Sequence, residues 1–246
     1  MTALGIIPAR KGSQRFPDKH HVRLLGTPMF AYTIEAALAA ARLDRLVVSS
    51  DDPALAALAA EYGVEFIERP AELAIDIAPL DDALRHVCGL LETRDGFRAD
   101  LVIAMQGNVP VRQPGAIDEA IRRLERIADA TAVCTAQEQR FRPEWAKVIR
   151  NAATGECAPF MAADRGYRTQ DYEPIYILDG AIYGVRREVL EATSGNRTTH
   201  AWFGDRLHLL VQEDQRYSLE VDYPDQAILA ECYLRLNAGH DTTARA

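Results

Sequence analysis

The feature that most constrains the fold is a regular alternation of short apolar segments with longer helical patterns. Five short apolar segments are typical of buried strands, and they are residues 3–8, 45–50, 64–67, 100–105 and 131–136. Four longer segments have helical composition, and they are residues 28–41, 51–62, 79–92 and 115–128. This alternation predicts an α/β fold, a doubly wound and mostly parallel sheet with helices on both faces. Ligands of such sheets bind where the strands end, which selects the loops after residues 8, 50, 105 and 136.

The alternation stops at about residue 138. The remaining predicted strands are residues 145–150, 175–178, 180–186, 207–212 and 217–222, and a terminal helix is predicted over 224–238. The first three of these strands indicate a small antiparallel extension of the sheet, or an arm that meets another subunit. We expect one domain over 1–238, with about 138–200 as a substrate or dimerisation arm and 239–246 as a disordered tail.

Charge and hydropathy exclude several classes of partner. The chain has 246 residues and a net charge of −8, so its overall field repels nucleic acid and anionic membranes. No apolar run reaches the roughly 20 residues needed to span a bilayer, and the N-terminus lacks the pattern of a signal peptide. The four cysteines are scattered without a CxxC pair, which favours buried thiols in a reducing compartment. These features predict a soluble, cytoplasmic protein that binds neither nucleic acid nor membrane.

The loop after the first strand is strongly basic. It has a local charge of +4, from one acid, Asp18, and five basic residues, which are Arg10, Lys11, Arg15, Lys19 and Arg23. Gly12 and Ser13 allow backbone N–H groups to approach an anion closely. The loop matches neither GxxxxGK[ST] nor GxGxxG. It predicts a site for a triphosphate, with a solvated basic loop as the alternative.

Several motifs resemble, in order, those of the CMP-sugar synthetases. The stretches concerned include IPARKGSQRFPDK, TPMFAYTIEAAL, VVSSDDPALAALAAEYG, MQGNVPVRQPGAID and SLEVDYPDQAILAE, and they extend over nearly the whole chain. This superfamily contains the acylneuraminate cytidylyltransferases and the enzymes that activate 3-deoxy-manno-octulosonate. The resemblance implies a Rossmann-like nucleotidyltransferase that joins an acidic sugar to CMP from CTP and releases pyrophosphate. It also implies Mg²⁺ as cofactor and a homodimer.

The resemblance assigns a nucleotide site to the first half of the chain. The residues implied to hold CTP are Arg10, Lys11, Gly12, Ser13, Arg15, Lys19, Ser50, Asp51, Arg69 and Asp76. Arg10, Arg15 and Lys19 are also expected to act in catalysis, by stabilising negative charge on the departing pyrophosphate. Ser50 and Asp51 have an alternative role as a helix cap.

Four positions of the implied sugar site match the family with little change. Gln106 is expected to hold the sugar acid, and Tyr183 in DGAIY to contact the sugar. Arg168 and Gln170 resemble an R-x-Q segment, in which the arginine can bind the substrate carboxylate through a bidentate hydrogen bond. These residues predict that the second substrate is an acid.

Three further positions of that site either depart from the family or have two alternative roles. Asn108 stands where octulosonate-activating relatives have an aspartate metal ligand, and this change favours the nonulosonate branch because an amide is a weaker Mg²⁺ ligand than a carboxylate. Asp179 replaces the usual asparagine and leaves the identity of the sugar open. Lys147 either faces the substrate or is a solvated strand lysine.

Glu220 and Asp222 form the candidate metal site. They are two residues apart in SLEVDYP, so on a strand both carboxylates point to one face. The alternative is an exposed acidic strand end. Two other functions stay open: activation of octulosonate or a phosphonate, and a catalytically inactive homologue that acts as a binding protein. The basic loop and the Glu220/Asp222 pair argue against the inactive homologue.

Overall fold

The computed structural model describes residues 1–161 and 173–243. Its helices are α1 Met29–Leu38, α2 Pro53–Glu61, α3 Leu80–Asp95, α4 Ala116–Arg126, α5 Arg187–Ala192 and α6 Pro224–Thr243. Its strands are β1 Ala3–Pro8, β2 Arg23–Leu24, β3 Thr27–Pro28, β4 Arg45–Ser50, β5 Glu65–Glu68, β6 Leu101–Ala104, β7 Ala132–Glu138, β8 Lys147–Asn151, β9 Glu156–Pro159, β10 Tyr176–Arg186 and β11 Leu207–Val211.

Seven of these strands form the main sheet, in the order β11-β7-β10-β6-β1-β4-β5. The pairs β1–β4, β1–β6, β4–β5 and β7–β11 are parallel, and β10 is antiparallel to both of its neighbours. Two short antiparallel ribbons, β2–β3 and β8–β9, lie outside this sheet. The predicted doubly wound, mostly parallel sheet is therefore confirmed.

Helices cover both faces of the sheet, which explains why its central strands β1 and β6 are apolar along their whole length. All six residues of β1 are buried, and apolar side chains alternate between two core clusters. One cluster contains Phe30 of α1, Leu55 of α2 and Ile121 of α4. The other contains Leu84 of α3 and Leu190 of α5. The loops at the ends of the strands are thereby left free to form a site.

The region 138–200 differs from the single arm that its sequence suggests. The segments 175–178 and 180–186 form one strand, β10, which lies between β6 and β7 instead of extending the edge of the sheet. Its register shifts between Leu178 and Tyr183, which explains why the pattern looks like two strands. Among the described residues of this region, the β8–β9 hairpin lies apart from the main sheet, while Leu190 of α5 belongs to the core.

The predicted strand over 217–222 is wrong. Gln215–Ser218 form a 3₁₀ turn, and the four residues that follow run beside the loop after β6, where the N–H of Val221 donates to the carbonyl of Asn108 at 2.8 Å. The alternating pattern reflects burial of Val221 against Leu24 and Met29 rather than pairing in the sheet.

Two smaller differences concern the end of the chain and the cysteines. The last helix continues past residue 238 as far as Thr243. Cys88 and Cys134 are buried as expected, but Cys157 and Cys232 are exposed. In the described part of the chain, no helix is both long and apolar enough to cross a membrane.

Candidate active site

A cleft of about 460 Å³ opens where β1, β5 and β6 end, as the rule for parallel sheets predicts. Its lining consists of Pro8, Ala9, Arg10, Ser13, Gln14, Arg15, Lys19, His20, Arg69, Asp76, Ala78, Leu80, Gln106 and Asn108. The cleft thus joins the basic loop to the loop after β6, two segments that the sequence assigned separately to the nucleotide and to the sugar.

Acidic side chains hold the first half of the basic loop. The side chains of Arg10 and Gln14 both bind the carboxylate of Asp76. The backbone N–H of Lys11 donates to Asp51 Oδ1 at 2.8 Å. Gly12 has a φ of +84°, a conformation that side chains rarely adopt, and this turns the chain around the cleft. Asp51 and Asp76 were predicted to belong to the nucleotide site. In the structure their carboxylates bind the basic loop and hold its conformation.

Asp222 receives three donors from two loops. Lys19 Nζ lies 2.8 Å and Asn108 Nδ2 3.0 Å from Oδ1, while Arg15 Nη2 lies 2.7 Å from Oδ2. Burial by itself would raise the pKa of Asp222, but the hydrogen bond and charge of Lys19 and the charge of Arg15 outweigh it and hold that pKa below its ordinary value. Asp222 is thus an ionised carboxylate that links the basic loop to the loop after β6.

Glu220 has a different environment from Asp222. Its carboxylate packs against Gly180, where φ is +69° and any Cβ would collide with it. Burial, followed by the charge of Asp222, raises the pKa of Glu220 to about 7. The two carboxylates of the predicted metal site therefore differ, because near neutral pH only Asp222 is fully ionised.

A second cavity, of about 300 Å³, adjoins the cleft and shares Leu80 and Gln106 with it. The other residues around it are Pro79, Asp81, Tyr183, Asn196, Arg197, Thr198, Thr199, His200 and Trp202. The ring of Tyr183 packs edge-on against Trp202 with 5.8 Å between centroids, and its hydroxyl bonds to the side chain of Gln106. Burial raises the pKa of Tyr183, so its hydroxyl stays protonated.

Asp179 is occupied by the fold. Its carboxylate accepts hydrogen bonds from Thr135 Oγ1 at 2.5 Å, Ser218 Oγ at 2.6 Å and the N–H of Ala181 at 3.0 Å. The side chain is buried, and the residues that line the two cavities do not include it. The structure therefore gives Asp179 a role in joining β7, β10 and the turn before Leu219, and direct contact with a sugar stays a prediction.

The remaining predicted residues divide into four groups. Arg69 lies in the cleft, where Nη2 donates to the carbonyl of Ser49 at 3.0 Å and burial lowers its pKa to about 10. The hydroxyl of Ser50 is buried and accepts the N–H of Asp52 at 3.1 Å, so it serves the turn into α2. Lys147 is exposed on the β8–β9 hairpin, away from the lining of both cavities. Arg168 and Gln170 lie outside the described residues.

Sequence reasoning left His20 and His21 without a role, and both prove to support the basic loop. His20 is buried with its ring edge-on to Phe30, 5.5 Å between centroids, and it lines the cleft. Burial, followed by the charge of Lys19, lowers its pKa to about 3, so the imidazole is neutral. His21 Nε2 lies 2.7 Å from Oδ2 of Asp52, the N-cap of α2. The two adjacent imidazoles contact different residues, Phe30 and Asp52, because the chain forms a short 3₁₀ turn over Lys19–His21. The sequence pattern did not indicate this turn.

Comparison with known proteins agrees with this arrangement. Residues 4–215 match the family described as Cytidylyltransferase. An N-acylneuraminate cytidylyltransferase of Streptococcus agalactiae is 29% identical over 232 residues, which are 93% of this chain and 52% of that protein. The chain thus spans about half the length of that relative. The CMP-N,N'-diacetyllegionaminic acid synthase of Legionella pneumophila is 30% identical over 245 residues, 96% of this chain and 98% of that protein.

A solved structure gives an independent comparison of the fold. A CMP:2-keto-3-deoxy-manno-octonic acid synthetase complexed with CTP has a TM-score of 0.70 at 19% identity, over 96% of this chain and 100% of that one. At that identity the likeness concerns the fold alone. The family match covers most of the chain, however, and its region includes the basic loop and the loop after β6. The chain therefore belongs to the cytidylyltransferase family.

Proposed function

We propose that this chain transfers the cytidylyl group of CTP to the anomeric hydroxyl of an acidic sugar. The observation that supports this most strongly is the contact between Asp222 and two cations of the basic loop, Arg15 and Lys19, at the cleft where the parallel strands end. Both cations line that cleft and can bind a triphosphate there, while Asp222, which is not part of the lining, holds the two cations in place. The family match and the relatives named above support the use of CTP.

The cations around the cleft suit attack on the α-phosphorus. In the proposed step the anomeric hydroxyl loses its proton to water as its oxygen bonds to that phosphorus, the bond to the bridging oxygen of the β-phosphate breaks, and pyrophosphate leaves with the electron pair. Arg10, Arg15 and Lys19 stabilise the charge that develops on the leaving group. The side chains form no covalent bond to either substrate, so catalysis rests on positioning and charge.

The adjoining cavity is the proposed place for the sugar acid. Gln106 lies between the two cavities, and Tyr183 presents a protonated hydroxyl beside it. We favour a nonulosonate, because Asn108 lacks the carboxylate expected in octulosonate-activating relatives and a legionaminic acid synthase aligns over nearly its whole length. The solved octulosonate-type relative keeps 3-deoxy-manno-octulosonate as the second candidate.

The residues at Asp222 fit Mg²⁺ as the proposed cofactor. Within residues 1–161 and 173–243, no group of three or more His, Cys, Asp or Glu side chains could hold a metal. Mg²⁺ is commonly held by one or two carboxylates together with waters and substrate phosphates, so three protein ligands are not required. Asp222 would hold the ion, with Glu220 beside it. Bound there, Mg²⁺ would neutralise charge on the phosphates.

Asn108 has a different role in this proposal from that of a metal ligand. Its side-chain Nδ2 donates to Asp222 Oδ1, and its backbone carbonyl accepts the N–H of Val221. In this proposal Asn108 positions the carboxylate of Asp222 and does not itself coordinate the ion. This accounts for how the family aspartate could be replaced without loss of the reaction.

A homodimer is the proposed assembly. The β8–β9 hairpin and its neighbours expose large apolar side chains, which are Phe141, Trp145, Ile149 and Phe160. Exposed apolar patches of this kind commonly mark protein interfaces. We propose that a second copy covers them, and light scattering of Ile149→Asp against the unchanged chain tests this: a monomeric variant supports it, and a monomeric parent contradicts it.

The activity test is pyrophosphate release from CTP and Mg²⁺ with a panel of acids. The panel contains N-acetylneuraminate, a legionaminate, a pseudaminate, 3-deoxy-manno-octulosonate and a simple phosphonate, each also tested with UTP as a control. We expect release with CTP and a nonulosonate, and the CMP conjugate in the mass spectrum. Release with octulosonate alone would support the second candidate. No pyrophosphate release with any acid of the panel, together with no rise in melting temperature on adding CTP, would contradict the proposed function.

A further inference from the structure

Arg112 follows the loop after β6, and its guanidinium is buried among backbone carbonyls. Nη2 donates to the carbonyl of Gln106 at 2.6 Å, Nη1 to that of Val109 at 2.8 Å, and Nε to that of Ala181 at 3.2 Å. Nη1 also donates to Thr33 Oγ1 at 2.7 Å, and the Thr33 hydroxyl in turn donates to the carbonyl of Gln106 at 3.3 Å. One side chain thus joins α1, the loop and β10.

This arrangement is costly for the charge that it buries. Among the described residues, the hydrogen bonds of Arg112 go to carbonyls and one hydroxyl and to no carboxylate. Burial lowers its pKa to about 9, and the charge of Asp179 offsets this only in part. Buried cations are usually paired with an anion because their desolvation is expensive. A neutral apolar side chain would avoid this desolvation but would leave those carbonyls without their donors, so the guanidinium serves there as a set of hydrogen-bond donors.

The loop that Arg112 binds contains two residues of the candidate site. The side chain of Gln106 lines both cavities. The side chain of Asn108 donates to Asp222 Oδ1 at 3.0 Å, and the carbonyl of Asn108 accepts the N–H of Val221 at 2.8 Å. The position of Asp222 relative to Gln106 therefore depends on the conformation of this one loop.

We propose that Arg112 is a positioning residue for cytidylyl transfer: it fixes the loop over residues 106–111 so that Gln106 and, through Asn108, Asp222 face the two substrates together. This inference rests on the proposed function for its catalytic consequence, while its structural part concerns the loop alone. Arg112 acts through backbone groups and touches neither substrate in this account.

Arg186 is a matched control within the same sheet. It is also a buried arginine whose donors go mainly to carbonyls, with Nε 2.7 Å from the carbonyl of Ala130 and Nη2 2.7 Å from that of Leu124. It lies where β10 pairs with the first residues of β6, which is the opposite edge of the sheet from the cleft. Replacing Arg186 should remove a comparable set of buried hydrogen bonds without changing the conformation of the loop after β6.

The experiment compares Arg112→Met and Arg186→Met in the full chain. We expect both variants to melt at lower temperature than the parent. We expect Arg112→Met alone to lose about 100-fold in kcat, the scale of a misplacement of about 1 Å, while its KM for CTP changes by less than about threefold. The basic loop, which Arg112 does not contact, keeps the nucleotide bound. Equal kcat in the two variants, or a loss confined to the KM for CTP, would overturn the inference.

A second variant and a second readout keep the test decisive if Arg112→Met does not fold. Thr33→Val removes the hydroxyl that bridges Arg112 and Gln106 while keeping the shape of the side chain, and we expect about a tenfold loss in kcat, smaller than for Arg112→Met. Amide hydrogen exchange then measures the loop without any substrate. We expect faster exchange over residues 106–111 and at Val221 in the Thr33 and Arg112 variants, but not in Arg186→Met.

The exchange measurement also separates this inference from the proposed function. If the parent chain turns over no acid and exchange at the loop still rises, the proposed function fails while the role of Arg112 in fixing the loop stands. If the parent is active and neither exchange nor kcat responds to Arg112→Met, the inference fails alone.

Discussion

The two adjoining cavities are built in different ways. The cleft takes its charged lining largely from one continuous stretch, residues 8–20, and ion pairs to Asp76 and Asp222 hold that stretch in place. The second cavity takes its lining from α3, β10 and the segment 196–202, and aromatic packing around Tyr183 supports it. A site made from one segment can be recognised as a motif, whereas a site made from several distant segments cannot. The nucleotide side therefore forms one motif in the sequence, whereas for the acceptor side only Gln106 and Tyr183 of the lining were predicted.

The largest expected effect is on the carboxylate that joins the two loops. Asp222→Ala should lower kcat by about 1,000-fold, because Lys19, Arg15 and Asn108 lose their common partner and the phosphates lose the proposed metal ligand. The assay is pyrophosphate release at saturating CTP and acceptor. Asp225→Ala, an exposed change three residues away, is the control and should stay within about twofold. An Asp222→Ala enzyme with a tenth of the parent activity would contradict this role.

The next effect separates the nucleotide side from the acceptor side. Lys19→Met should lower kcat/KM for CTP by about 100-fold while the KM for the acceptor stays within about threefold, because Lys19 belongs to the cleft and not to the second cavity. Initial rates at varied CTP and varied acceptor measure both. Arg206→Met, which removes an exposed cation paired with Asp129 elsewhere, should change neither. Equal losses toward both substrates would show that the two cavities act as one site.

A third effect concerns stability against pH. The pKa of His20 is lowered to about 3 by burial, so below pH 6.5 the unfolded chain binds a proton that the folded chain does not. The free energy of unfolding is therefore highest above pH 6.5 and falls as the pH is lowered, by about 2 kcal/mol between pH 7 and pH 5. Denaturant unfolding at several pH values should therefore give a steeper acid loss for the parent than for His20→Leu. Parallel curves would mean that His20 takes up a proton in the folded state.

The smallest effect sharpens the description of the acceptor side. Arg197 lines the second cavity and pairs with Asp82 at 2.6 Å, but it is largely exposed. Arg197→Met should raise the KM for the acceptor by about threefold and leave the KM for CTP unchanged, because an exposed ion pair is screened by water and contributes little. Steady-state kinetics with both substrates measure this. A larger change in KM for CTP than for the acceptor would place Arg197 on the nucleotide side.

Much of the fold could be predicted from the sequence because buried parallel strands are apolar throughout. β1 and β4 begin and end where the pattern predicts, and Asp52 and Pro53 open α2 as expected. The pattern misled at β10, where a shift in register broke one strand into two apparent ones. It misled again at 217–222, because burial of Val221 outside the sheet gives the same alternation as a strand.

The sequence by itself determined the basic loop, its place after the first strand and the family to which the chain is similar, because charge, glycine and strand periodicity are properties of neighbouring residues. The tertiary structure alone decided that Asp222 contacts Arg15 and Lys19, about 200 residues away in the chain. It alone decided that the carboxylate of Asp179 is hydrogen-bonded inside the fold and that Arg112 binds carbonyls of the loop after β6. These relations depend on which distant groups satisfy a buried charge or carbonyl, and only the packed chain fixes that.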